Sequence, residues 1–249
     1  MSSAFNEREF EFCFNAEFVR TNSAALIGTP LIPSQRMENV LGYDVQFRIQ
    51  NGRFTRSLFV QHKTSSYAER LKGRNAEFWY CYSGPYFRFP VARLDRTRQH
   101  NLLVELAERG EDVFYCAPIF VGLDNLQTYF VRGSVIDNSR FFDPTDMGRI
   151  SDFEQHHVSC DRTGAFGFFH TEPKQLKRTV SWNALRDETK DRHVDSKYVE
   201  QLETVLHDAV KTVFDAELTV PDKVKEGGPI PTILYVLRRY FAVEWYILP

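Results

Sequence analysis

From Tyr43 to Lys63 the sequence carries two apolar runs separated by Asn51-Gly52, and few backbone arrangements satisfy that pattern. Tyr43, Val45, Phe47 and Ile49 alternate with Asp44, Gln46 and Arg48, which is the period of a strand with one covered face. Asn-Gly tolerates the positive-φ conformations of a tight reversal, so Ser57 to His62 follows as a second, partly buried strand. Just upstream, Ser34 caps a short helix that carries Met37, Val40 and Leu41 and ends at Gly42. This arrangement brings Glu38, Asp44, Gln61 and Lys63 near the ends of neighbouring elements. The two-residue spacing of Gln61 and Lys63 places them on the same strand face.

The flanking chain reads as alternating helices and strands. Asn6 followed by Glu9 is a capping-box pattern, and Phe10, Phe14 and Phe18 recur every four residues, which predicts a helix with Glu17 bordering its apolar face. The run from Glu9 to Phe14 also alternates with period two, so a strand is the competing reading. Thr21 to Pro33 is a loop. Downstream come an aromatic strand from Glu77 to Tyr82, a turn at Ser83-Gly84-Pro85 and a strand from Tyr86 to Phe89. A helix opened by Asp95 or Thr97 and closed by Gly110 precedes a buried strand, Val113 to Ala117, and the three form a βαβ-like unit.

Beyond Pro118 the pattern predicts a helix from Leu123 to Phe130, a short strand from Gly133 to Ile136 and a turn at Asp143 to Thr145. A strand pair follows from the runs Phe153 to His157 and Thr163 to Phe169, then a short helix from Ser181 to Thr189. The clearest amphipathic pattern in the chain is a helix from Ser196 to Phe214. Asp222 to Pro231 reads as a Gly-Pro surface loop and Thr232 to Phe241 as a last helix. Residues 1–150 form an α/β core on this reading, with 151–249 as a C-terminal extension or cap.

Composition narrows the class. A hydrophobic content of 43% in 249 residues suffices for a sizeable core. A net charge of -2 provides no global basic field, although Arg88, Arg93, Arg96 and Arg98 could line a local basic groove. Cys13, Cys81, Cys116 and Cys160 form no CxxC pair and the first residues have no basic-then-apolar pattern, which points to a reduced, cytoplasmic setting. Arg238, Arg239 and Glu244 interrupt the apolar run after Ile230, which excludes a membrane span there.

Carboxylates that hold a divalent cation, and a lysine that orients or helps activate water, are what phosphodiester hydrolysis requires. Asp44 sits between apolar neighbours at the start of a strand, Glu38 approaches from the helix, and Lys63 ends an apolar strand. Gln61 offers an amide oxygen without charge.

Asp44 followed by Gln61-His62-Lys63 resembles the PD-(D/E)xK nuclease superfamily, with Q-x-K in place of the usual acidic-x-Lys element. The resemblance implies a restriction-endonuclease-like core, a mixed central β-sheet flanked by helices, with a C-terminal helical extension. It assigns Asp44 as metal ligand, Gln61 as the substituted metal-side position and Lys63 as the catalytic lysine. The remaining helical carboxylate is Glu38 or Glu17, and Gln99, Arg93 and Arg96 fall on the substrate side. The implied cofactor is Mg2+, with Mn2+ as a substitute, and the implied substrate is DNA, in defence against foreign DNA or in repair. Because Gln61 replaces an acid, a second reading stays open: a catalytically inactive nuclease-like module that binds a protein partner or self-associates.

Three further clusters carry chemistry-bearing residues. His156, His157, Cys160 and His170 could be a zinc set, but adjacent histidines in a strand face opposite ways, so only one of the pair would ligate. Cys160-Asp161 with His170 offers a Cys-His pair without a distinguishable orienting residue. Tyr80, Tyr82, Tyr86 and Phe87 read as core packing or as a surface for stacking bases.

Overall fold

The computed structural model describes residues 1–21, 55–71, 76–92, 97–152, 154–170, 174–177, 179–188, 191–192, 195–214, 218–241 and 243–248. In chain order these form α1 (Glu7–Thr21), β1 (Thr55–His62), β2 (Ser66–Ala68), α2 (Ala76–Tyr82), β3 (Tyr86–Ala92), α3 (Thr97–Glu108) and β4 (Asp112–Pro118). They continue with α4 (Leu123–Arg132), β5 (Ser139–Phe142), α5 (Pro144–Met147), β6 (His156–Asp161), β7 (Gly167–His170), β8 (Lys174–Gln175), α6 (Trp182–Glu188) and β9 (Asp191–Arg192). The last are α7 (Ser196–Phe214), α8 (Asp222–Lys225), α9 (Pro229–Val236), a π-helical turn (Leu237–Phe241) and β10 (Glu244–Leu248). The fold is mixed α/β, with β-sheet flanked by helices and a C-terminal region rich in helix. The short helix, strand and turn expected within residues 34–52 lie outside the described residues. Among the described residues no helix is long and apolar enough to cross a membrane.

The chain divides into two compact units built from interleaved segments. One comprises Met1–Thr21, His62–Thr97 and Phe114–Glu188; the other comprises Asn22–Gln61, Arg98–Val113 and Thr189–Pro249.

In the first unit, the capping box at Asn6 forms reciprocally. Asn6 Oδ1 accepts the Glu9 N–H at 2.9 Å while the Glu9 carboxylate accepts the Asn6 N–H at 2.7 Å, satisfying two donors that the helix leaves open. Burial decides between the competing periods: Phe10, Phe14 and Phe18 are buried, whereas Phe12, which a strand would place beside Phe10 and Phe14, is 67% exposed. Each phenylalanine so covered contributes about 2 kcal/mol relative to exposure. The helix lays these rings against His62, Phe141 and Trp182.

The same unit contains a five-stranded antiparallel sheet of order β2-β3-β6-β7-β8. Val158, Cys160, Phe89 and Phe169 are buried on one of its faces, where Phe89 meets Tyr115 and Phe142. Those two residues belong to the antiparallel pair β4 and β5. Helix α2 packs on the other face through Phe78, Trp79 and Tyr82, against Ala68 and Tyr86. This corrects the strand expected from Glu77 to Tyr82. A strand would align Phe78, Tyr80 and Tyr82, but Tyr80 is 76% exposed and the covered positions follow helical spacing. Ser83, at φ 51, turns the chain out of the helix.

Two more expectations fail in this region. The βαβ-like unit does not form, because β3 pairs with β2 and β6 while β4 pairs antiparallel with β5 in a different sheet. Residues Gly133 to Ile136 are turns, since Gly133 adopts the left-handed conformation (φ 67) that closes α4. Its N–H and that of Ser134 bond back to Phe130 and Tyr129 carbonyls, and the backbone beyond is not extended.

In the second unit, β1 pairs antiparallel with β10 from Arg56 opposite Leu248 to Val60 opposite Glu244, and with β9 at Thr55 and Arg56. Leu102, Leu103 and Leu106 of α3 are buried, and Gly110 at φ 99 ends that helix. Along α7 the buried residues are Val199, Leu202, Leu206, Ala209 and Val210, the face that its periodicity predicts. Its polar side reaches neighbouring side chains: Tyr198 donates its hydroxyl to Glu111 at 2.9 Å, and Asp208 lies 3.9 Å from Arg109.

The surface loop expected at Asp222 to Pro231 is instead α8 and the start of α9. Proline in the first turn of α9 occupies a position with no intrahelical N–H bond to lose, so the Gly-Pro signal marks a helix start. Strand β10 was not anticipated, because its run from Glu244 to Leu248 lacks the turn residues that announce a strand.

Candidate functional site

Strand β1 delivers Gln61 and leads into Lys63. Leu58, Phe59, Val60, Gln61 and His62 are all buried, which explains why this run is continuously apolar before its polar end. A buried amide needs partners, and Gln61 Nε2 donates to the Phe241 carbonyl at 3.2 Å. Phe241 closes the π-helical turn, and the last carbonyls of a helix have no donor within it. The Gln61 amide supplies one. Lys63 donates its backbone N–H to the Cys116 carbonyl at 2.8 Å. Its side chain is 14% exposed and its ammonium lies 4.0 Å from a Glu7 carboxylate oxygen, Glu7 being 51% exposed.

Glu17 is buried at the far end of α1 and receives the backbone N–H groups of Val135 at 2.6 Å and Ile136 at 3.4 Å. These are donors that the turn after Gly133 leaves without a ladder partner. Burial raises the Glu17 carboxyl above its ordinary range, and the two N–H groups oppose that rise without cancelling it. Gln99 is half-buried in the first turn of α3. Asp44, Glu38, Arg93 and Arg96 lie outside the described residues.

The described members of the expected metal set do not make a divalent-cation site by themselves. Mg2+ favours hard, preferably anionic oxygen donors. Gln61 brings one neutral oxygen, and the Glu17 carboxylate already takes two N–H bonds. Among the described residues no group of three or more His, Cys, Asp or Glu is placed to hold a metal ion. The anionic donors for such an ion would be Asp44 and Glu38.

A second polar group lies on the α2-covered face of the five-stranded sheet. Ser159 sits opposite Arg88 on β3 and Phe168 on β7, and His157 sits opposite His170. Tyr82 OH is 2.7 Å from Ser159 Oγ, which also bonds His170 Nε2. A relay of three side chains therefore joins α2, β6 and β7. Ser159 is fully buried and His170 is 3% exposed, with Phe78 tilted against its ring. Burial, aided by Arg88 and the neighbouring histidine, pushes His157 down to about 4 and His170 down to about 3, so both imidazoles are neutral near pH 7. Burial also raises the Tyr82 hydroxyl, which stays protonated.

The strand pairing separates the residues of the expected zinc set. His156 points to the other face, where it bonds Asp152 and stacks on Phe169. Cys160 lies opposite Gly167 and is pushed up to about 12 by burial, so Ser159, and not the cysteine, contacts His170. Of the aromatic cluster, Tyr82 and Tyr86 stack on each other inside the packing of α2 while Tyr80 is exposed. The roles of Arg88, Ser159 and Tyr82 were not anticipated. The period-two spacing of His157 and Ser159 was the available signal, but its meaning depends on the cross-strand register with His170. No protein-family model matches the chain, and no curated protein and no solved structure matches it.

Proposed function

We propose that the chain is a metal-dependent nuclease acting on DNA through the stretch from Glu38 to Lys63. The observation that carries this reading is the placement of Lys63, whose side chain is largely covered, directly after the buried run from Leu58 to His62. A lysine so placed can hold and orient a water. Asp44 and Glu38 would hold Mg2+ or Mn2+, which when bound offsets the charge of the phosphoryl group under attack. A role in foreign-DNA defence or repair follows from the PD-(D/E)xK resemblance, and a cytoplasmic location from the scattered cysteines.

The bond from Gln61 to Phe241 favours a second reading, in which the nuclease-like arrangement binds a partner without cutting. That position supplies a neutral donor to a helix terminus, a task no carboxylate can perform.

The two readings separate in one assay of the full chain with duplex and single-stranded DNA, with Mg2+, with Mn2+ and with chelator. Metal-dependent cleavage lost in both Asp44→Ala and Lys63→Ala, with thermal unfolding unchanged, supports the nuclease. Absence of cleavage under every condition, or cleavage that persists in both variants, overturns it.

A further inference from the structure

We propose that Arg88, His157 and His170 bind a phosphoryl group or a similar tetrahedral oxyanion. The site lies on the α2-covered face of the five-stranded sheet, and its argument does not rest on the nuclease reading. Arg88 is half-buried, and its guanidinium has no hydrogen bond or ion pair among the described residues; only its carbonyl is used, by the Ser66 hydroxyl. A cation brought under partial cover normally has an anionic partner. The nearest acid on this sheet face is Asp161, opposite Tyr86, and its carboxylate is taken by the Thr163 hydroxyl and the backbone N–H groups of Thr163, Ala165 and Phe166.

The histidines supply the second, independent observation. His170 is buried with its Nε2 on Ser159, and its Nδ1 has no hydrogen-bond partner. Ser159 Oγ stands between Tyr82 OH and His170 Nε2 and can donate to either, so the tautomer of neutral His170 follows the direction of the relay. The relay ends in a buried ring nitrogen, His170 Nδ1, that lacks a partner and that donates once the ring is protonated. His157, directly across the strand pair, and Arg88 are the charged and titratable neighbours that act on His170. One guanidinium and two imidazoles that gain donor protons as an anion binds match the oxygens of a phosphoryl group, with His157 keeping one ring nitrogen on the Gln155 backbone. A metal cation is the wrong occupant, because Arg88 would repel it.

The test titrates inorganic phosphate into the full chain and follows the ring nitrogens of His157 and His170 by NMR, with chloride at equal ionic strength as the control. Saturable shifts at about 1 mM phosphate, an upward move of both imidazole titrations, and loss of both effects in Arg88→Gln are expected. Arg88→Lys keeps the charge but not the planar fork, and should bind more weakly by roughly tenfold. Shifts equal in phosphate and chloride, or unchanged in a folded Arg88→Gln, overturn the proposal. If Arg88→Gln fails to fold, His157→Gln replaces it with the same expected loss in the His170 signal. A short oligonucleotide that produces the shifts at lower total phosphate assigns the group to a nucleic-acid backbone; shifts with inorganic phosphate alone assign it to a small ligand.

Discussion

Gln61 and Phe241 stand 180 residues apart in sequence, and the side-chain amide of the first donates to the main-chain carbonyl of the second at 3.2 Å inside the protein. The contact ties the strand of the expected Q-x-K element to a helix end. Gln61→Glu places a carboxylate against a carbonyl at the negative end of a helix, where both the lost donor and the dipole oppose it. The variant should be destabilised by about 2 kcal/mol, read from urea denaturation. Gain of stability in Gln61→Glu would show that an acid fits there and would favour a metal-binding role.

Glu17 answers two backbone donors with one carboxylate. Glu17→Ala leaves the Val135 N–H buried and unsatisfied, at a cost of about 1–3 kcal/mol. Glu17→Gln keeps an acceptor oxygen and should cost less than half as much. Because burial raises the Glu17 carboxyl in the folded chain, its contribution is fully present below the unfolded carboxyl range and diminishes as pH rises through the folded value. Glu17→Gln should remove that part of the pH dependence, measured as denaturation midpoints from pH 4 upward.

The histidine pair sets an opposite slope. Unfolded imidazoles take up protons near 6.5, while His157 and His170 in the folded chain resist protonation until about 4 and about 3. The unfolded state therefore binds more protons across that window, and stability falls as pH is lowered from 6.5. A double variant, His157→Asn with His170→Asn, should flatten the acid limb of the stability curve. An unchanged limb would place the acid sensitivity elsewhere.

At the first helix, Asn6→Ala removes one half of a reciprocal cap. The expected loss is about 1 kcal/mol, and Asn6→Ser should recover most of it. Amide hydrogen exchange at Glu9 is the local readout, because its N–H is the one that Asn6 Oδ1 accepts.

Legibility in the sequence followed the range of the interactions. Helix α1 was readable because both its cap and its phenylalanine spacing are contained within one segment, and α7 because five turns repeat the same apolar face. Strand β1 was readable from its own apolar run. The aromatic run from Glu77 to Tyr82 was misread because the surface that covers Phe78 and Tyr82 is supplied by Tyr86 and Ala68 on other elements. The same limit held at the site. Lys63 and Gln61 were identifiable by residue type and spacing, but the carbonyl that engages Gln61 comes from the far end of the chain. The Tyr82, Ser159 and His170 relay required a strand register that local spacing cannot supply.

The pairing of β1 with β10 also has a consequence for the order in which the chain is made. Residues 56–60 leave the ribosome before residues 244–248, and the backbone groups that meet the latter have no native partner until the last of these has been synthesised. Over the interval between the two segments, that side of an apolar strand is open to pairing with other chains. Yield of native protein should therefore rise with slower synthesis or with chaperones that shield exposed strand edges, and deletion of residues 244–248 should shift the product toward aggregates.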